Sequence, residues 1–188
     1  MKNLTYFKED GLRIVVSIGY GISFYEKADK QISNKYINSS SKQGVSWEHN
    51  NKQIIIADPT VSVIGYPTVN LDYVVVIYDG IMGEFKPPQN AVIYNLDGSI
   101  HKILEVSSFI SYRLINRIKE NGDSNPPTQL PHKELIPSFK GFGWEKDKIG
   151  NLFNYISVKY DRDYGEGRIL NPDTGQLGEL VDDWHEYH

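Results

Sequence analysis

Ala91-Val92-Ile93-Tyr94-Asn95-Leu96-Asp97-Gly98-Ser99-Ile100-His101-Lys102-Ile103-Leu104 is the stretch that sets the fold class. Two runs rich in β-branched and aromatic residues flank Asp97-Gly98. An Asp-Gly pair tolerates positive φ at both central positions of a tight turn, so it closes a two-residue hairpin. The spacing predicts a hairpin over 91–106. Working outward, Leu71–Tyr78 carries Val74-Val75-Val76-Ile77 without polar interruption. Such a run fits a central strand buried on both faces. Gly80 to Asn90, with Pro87-Pro88, reads as the loop between these units.

The same punctuation recurs towards the N-terminus. Asp10-Gly11 separates Thr5–Glu9 from Leu12–Ile18, a second hairpin. Gly19-Tyr20-Gly21 reads as a bulge before Ile22–Glu26. Residues 27–44 are polar and read as a loop with a short helical turn around Ala28–Ser33. Val45–Glu48 and Gln53–Ala57 flank His49-Asn50-Asn51-Lys52, a third hairpin that Asp58-Pro59 ends. Val61–Ile64 is a short strand. Towards the C-terminus, Phe109–Glu120 is the best helix candidate, with Ser107 or Ser108 as its cap and Asn121-Gly122 as its stop. Residues 121–137 hold four prolines and read as a surface loop. Phe139–Lys146, Asn151–Tyr160, Gly167–Leu170 and Gln176–Val181 then read as an antiparallel meander. The expected architecture is mainly β. It is an antiparallel sheet or two-sheet sandwich of about ten strands with one packed α-helix. Residues 1–188 are expected to form a single domain.

The composition narrows the chemistry. The 188 residues suit one core, and there is no cysteine. That excludes a disulfide scaffold, a thiol nucleophile and a cysteine-ligated metal. No apolar run reaches the ~18 residues a membrane span needs, and the first ten residues meet charge early. The expectation is a soluble, cytoplasmic monomer with no membrane partner. No Walker loop, Rossmann fingerprint or nucleophile elbow is present. His185 and His188, beside Asp182 and Asp183, have zinc-like spacing if helical, but a terminal segment reads better as a solvated tail. His101 reads as a half-exposed strand residue. Asp161/Asp163 and Asp182/Asp183 are candidate carboxylate pairs, yet nothing in the sequence buries them. The expectation is therefore no enzyme, no metal and no cofactor. Nucleic acid is disfavoured, because no basic face accompanies a matching fold signature.

The net charge of -4 is unevenly spread. Residues 161–188 hold eight acids and two bases, or -6; residues 1–160 hold 16 acids and 18 bases, or +2. Inside the acidic segment lies Asp182-Asp183-Trp184-His185-Glu186-Tyr187-His188. Two aromatics set among acids suit protein recognition; the alternative reading is a solvated tail with Trp184 tucked against the sheet. Glu179, Asp182, Asp183, Trp184, Glu186 and Tyr187 are the candidate partner-binding residues.

At Val92-Ile93-Tyr94-Asn95-Leu96-Asp97-Gly98-Ser99-Ile100-His101, and again at Arg168-Ile169-Leu170-Asn171-Pro172-Asp173-Thr174-Gly175-Gln176-Leu177-Gly178-Glu179-Leu180, the chain resembles small bacterial β-rich proteins. Several of these are immunity proteins of contact-dependent growth inhibition and related polymorphic toxin systems. The shared motifs are mostly turn chemistry. The resemblance implies a cognate protein toxin, with nucleases among the toxin classes, as partner and an inhibitory surface rather than a catalytic one. An acidic segment would steer association with a basic cleft. Two other readings stand beside it. One is a carbohydrate- or ligand-binding β-sandwich module using exposed Tyr and Trp. The other is an enzyme of unrecognised type using Asp161, Asp163 or His101.

Overall fold

The computed structural model describes residues 1–16, 18, 30–113, 115–116, 136–160 and 164–185. Twelve strands and one complete helix occupy them: β1 (Lys2–Lys8), β2 (Arg13–Val15), α1 (Lys30–Asn38), β3 (Gln43–His49), β4 (Lys52–Ile56), β5 (Ser62–Pro67), β6 (Tyr73–Asp79), β7 (Ala91–Asn95), β8 (Ile100–Leu104), β9 (Ser138–Lys146), β10 (Leu152–Lys159), β11 (Tyr164–Leu170) and β12 (Leu177–His185). They form three four-stranded antiparallel sheets, ordered β2-β1-β3-β4, β5-β6-β7-β8 and β12-β11-β10-β9. The mainly β, antiparallel class is as expected; the single sheet or two-sheet sandwich of about ten strands is corrected to three sheets and twelve strands among the described residues.

The sheets stack with the second in the middle. Side chains alternate across a strand, and β6 and β7 divide their apolar residues accordingly. Val74, Val76, Tyr78, Val92 and Tyr94 pack with Leu4, Tyr6, Val45 and Trp47 of the first sheet. Val75, Ile77, Ala91 and Ile93 pack with Phe139, Phe142, Ile156 and Val158 of the third. Because both faces of β6 are covered, its sequence runs apolar without alternation.

Hydrogen bonds also link the layers. The Tyr6 hydroxyl donates to the Gly65 carbonyl at 2.6 Å. A Cβ at Gly65 would overlap Val45, so the two sheets approach closely there. Trp47 Nε1 donates to Leu96 O and Trp144 Nε1 to Pro67 O, each at 2.8 Å. Asn90 donates to Tyr78 O and Phe139 O and accepts from Phe139 N, joining the middle sheet to β9.

The three hairpins form, but the two Asp-Gly turns are corrected from two-residue to three-residue loops. Lys8 N donates to Leu12 O and Gly11 N to Lys8 O, Asn95 N to Ser99 O and Gly98 N to Asn95 O, so positive φ is needed at the glycine only. Gly11 and Gly98 take φ of 91° and 88°, and Asn50 and Asn51 take 49° and 59°. Two other expectations change. The short helical turn expected around Ala28–Ser33 within a polar loop is, over Lys30–Asn38, the longer helix α1, which buries Ser33 and Tyr36. Of Phe109–Glu120, residues 112–113 and 115–116 are helical, and Ile115 N donates to Ser111 O at 2.9 Å. The expected bulge at 19–21, the strand at 22–26, the helix stop at 121–122 and the proline-rich stretch 121–135 lie outside the described residues.

Candidate functional site

The acidic C-terminal segment is largely sheet. Leu177–His185 is the edge strand β12, paired to β11 through Glu166↔Asp183, Gly165↔Trp184 and Gly167↔Asp182. Pairing across a strand puts partners on one face. Asp183 therefore points the same way as buried Glu166, whereas Asp182 and Trp184 share the opposite, outer face with the two glycines.

The inner carboxylates are occupied. Glu166 is fully buried. Its Oε1 accepts the amides of Ile110, at 2.7 Å, and Ser111. Its Oε2 accepts the Tyr160 hydroxyl at 3.1 Å and pairs with Arg168 Nη1 at 3.4 Å. The first amides of a helix lack internal acceptors, and Glu166 supplies one to the helical turn after Ser111. The expected caps, Ser107 and Ser108, are replaced in this role by a residue over fifty positions later. Asp183 completes the clamp: it pairs with Arg113 and accepts the Ser111 hydroxyl. Burial, then the Glu166 carboxylate, pushes the Tyr160 hydroxyl well above its ordinary range.

The outer face is built differently. A Cβ at Gly165 would collide with the Trp184 indole, and one at Gly167 with Asp182 and Tyr155. The absent side chains let these groups lie across the sheet. The Tyr155 hydroxyl donates to Asp182 Oδ1 at 2.9 Å. Burial raises this phenol to about 12, with the Asp182 bond adding to the effect and a Ser157 bond opposing it.

The other candidates fall as follows. Glu179 is exposed on β12. Glu186 and Tyr187 lie outside the described residues, as do Asp161, Asp163 and His188. His101 is half-buried on β8, stacks on Tyr73 with ring centroids 4.6 Å apart, and contacts the Asp173 carbonyl through Nε2 at 2.9 Å. Among the described residues, no group of three or more His, Asp or Glu side chains is placed to hold a metal. No described helix is long and apolar enough to cross a membrane. Sequence reading missed Tyr155, Glu166 and Arg168. The available signal was Gly165-Glu166-Gly167: alternate glycines inside a strand mark one face that something approaches closely.

No family model matches the chain, and no curated protein matches it. Among solved structures it is similar to a chain in the complex of Tne2 with Tni2. The TM-score is 0.52 at 9% identity, over 99% of this chain and 99% of that one. At that identity the likeness is one of fold, and it extends over the full length of both chains.

Proposed function

We propose that this chain is an immunity protein that binds a cognate bacterial toxin and neutralises it by covering the active site or substrate surface. The observation that carries the reading is the full-length fold likeness to a chain solved in a complex of two proteins. The resemblance of the Val92–His101 and Arg168–Leu180 segments to immunity proteins of toxin systems points the same way. The surface we assign to binding is β12 and its surroundings. Glu179, Asp182 and Trp184 stand on it, and Glu186 and Tyr187 follow it in sequence. Asp183 serves this surface from beneath, through Arg113 and Ser111. In this reading the chain acts in the cytoplasm as a monomer, by binding rather than catalysis, without metal or cofactor. A nuclease is the toxin class that an acidic inhibitor would suit best.

The experiment is co-purification and calorimetric titration of the full chain with the product of the adjacent upstream gene. A stoichiometric complex that suppresses that product's toxicity is the expected result. Absence of any complex at micromolar concentrations would overturn the proposal.

A further inference from the structure

The outer face of the third sheet repeats a construction present on the first. There, the Phe7 ring lies where a Cβ of Gly44 would be. The guanidinium carbon of Arg13 sits 5.9 Å from the centroid of that ring. An aromatic ring laid over a glycine thus already receives an arginine within this molecule. On the third sheet the arrangement is doubled: Trp184 lies over Gly165, and Tyr155 lies over Gly167 beside the Asp182 carboxylate. Alternate residues of a strand are about 7 Å apart, so the indole and the phenol are neighbours, with the carboxylate at their side.

We propose that Trp184, Asp182 and Tyr155 form the receptor for one arginine side chain of the protein partner. This rests on the binding role assigned above to the same strand. A guanidinium is planar, stacks on aromatic faces and pairs with carboxylates through a fork of donors. The three groups present both surfaces it needs. A carboxylate accepts more than one hydrogen bond, so Asp182 receives the guanidinium while the Tyr155 hydroxyl holds it in place. Tyr155 is a positioning residue for Asp182 as well as part of the platform. Lys159, paired across from Gly165 on the same face, bounds the receptor on its β10 side. A sugar also stacks on such rings, but a neutral ligand gains nothing from a segment carrying -6.

The test uses the isotope-labelled full chain and follows the Trp184 indole N–H, identified by its loss in Trp184→Phe. N-acetyl-arginine-N-methylamide is titrated beside its citrulline counterpart, which keeps the shape and lacks the charge, and beside a panel of mono- and disaccharides. The expected result is a saturable shift with the arginine compound at millimolar concentrations and none with citrulline. Asp182→Asn abolishes the shift, and Tyr155→Phe weakens it while leaving the thermal midpoint of the chain unchanged. In the complex with the upstream gene product, Asp182→Asn lowers affinity by about tenfold or more. Equal shifts with arginine and citrulline, no shift with arginine, or a response to the sugars alone would each overturn the inference. The two proposals fail separately. A complex that forms and is indifferent to Asp182→Asn and Trp184→Ala removes the arginine receptor and leaves the immunity reading. An arginine response without any complex does the reverse.

Discussion

Glu166 shows how one buried residue can organise chain segments far apart in sequence. It answers two backbone amides, a phenol and a guanidinium at once. Removing one member of such a set leaves the others desolvated and unpaired, which costs more than the set contributes net. Glu166→Ala should therefore destabilise the chain by about 3–5 kcal/mol in urea unfolding. A loss below ~1 kcal/mol, the range of an exposed pair, would show that water or another acceptor replaces it. Asp58 makes a pH-dependent counterpart. Burial alone would raise its carboxyl. Bonds from the Thr60 hydroxyl and the amides of Glu84, Thr60 and Val61 outweigh burial and bring it from 3.8 to about 2. A carboxyl whose folded value lies below its unfolded one stabilises the fold above the unfolded value. That contribution is lost as pH falls through the folded one. Thermal stability should accordingly decline between about pH 4 and pH 2. Asp58→Asn should be less stable at neutral pH, because its amide would face the Glu84 N–H donor to donor, and its acid decline should be shallower. Parallel profiles for the two proteins would assign the decline to other carboxylates.

At the scale of elements, the hairpins were legible because their signals are local. Gly11, Asn50, Asn51 and Gly98 supply positive φ where the turns need it, while Asp10 and Asp97 do not, because the Asp-Gly loops are one residue longer than the pair suggested. The glycines still differ in what surrounds them. A Cβ at Gly11 meets nothing within 4 Å, whereas one at Gly98 comes within 2.8 Å of Ile54 Cγ2. Gly11→Ala should cost about 1–2 kcal/mol for backbone conformation alone. Gly98→Ala should cost measurably more in the same denaturation assay, since it adds a clash with a side chain of the first sheet. Equal costs would mean that Ile54 yields freely. The helices were less legible, for physical reasons. In α1, Ile32 and Ile37 face solvent while Ser33 and Tyr36 are buried, so the apolar pattern of an amphipathic helix is absent. The helical turn after Ser111 takes its cap from Glu166 on β11, which no local rule finds. The site divides in the same way. Asp182 and Trp184 stood out through charge and aromaticity. Tyr155 became visible only in the structure, where it pairs across from Ile169 and its side chain reaches diagonally over Gly167 to Asp182.

At the scale of the whole molecule, the decisive fact is that one sheet serves two cores. Val76 looks towards the first sheet and Ile93 towards the third, and both belong to strands paired edge to edge through Val75↔Ile93 and Val76↔Val92. The unbroken apolar run of β6 announced a strand covered on both faces. It did not announce which strands cover it, since that partition depends on pairings between residues far apart in sequence. A shared central layer has a thermodynamic consequence. Losing either outer sheet would expose half of the apolar side chains of β6 and β7, so neither interface is expected to persist without the other. Trp47 lies in the first core and Trp144 packs on the second, giving each interface its own reporter. Their indole N–H signals, followed in one sample through a urea titration, should disappear with one midpoint. Ile93→Ala, which opens a cavity in the second core at a cost of about 2–5 kcal/mol, should move both midpoints together. If it moved the Trp144 transition and left that of Trp47 in place, the three sheets would have to be regarded as two separately folding units.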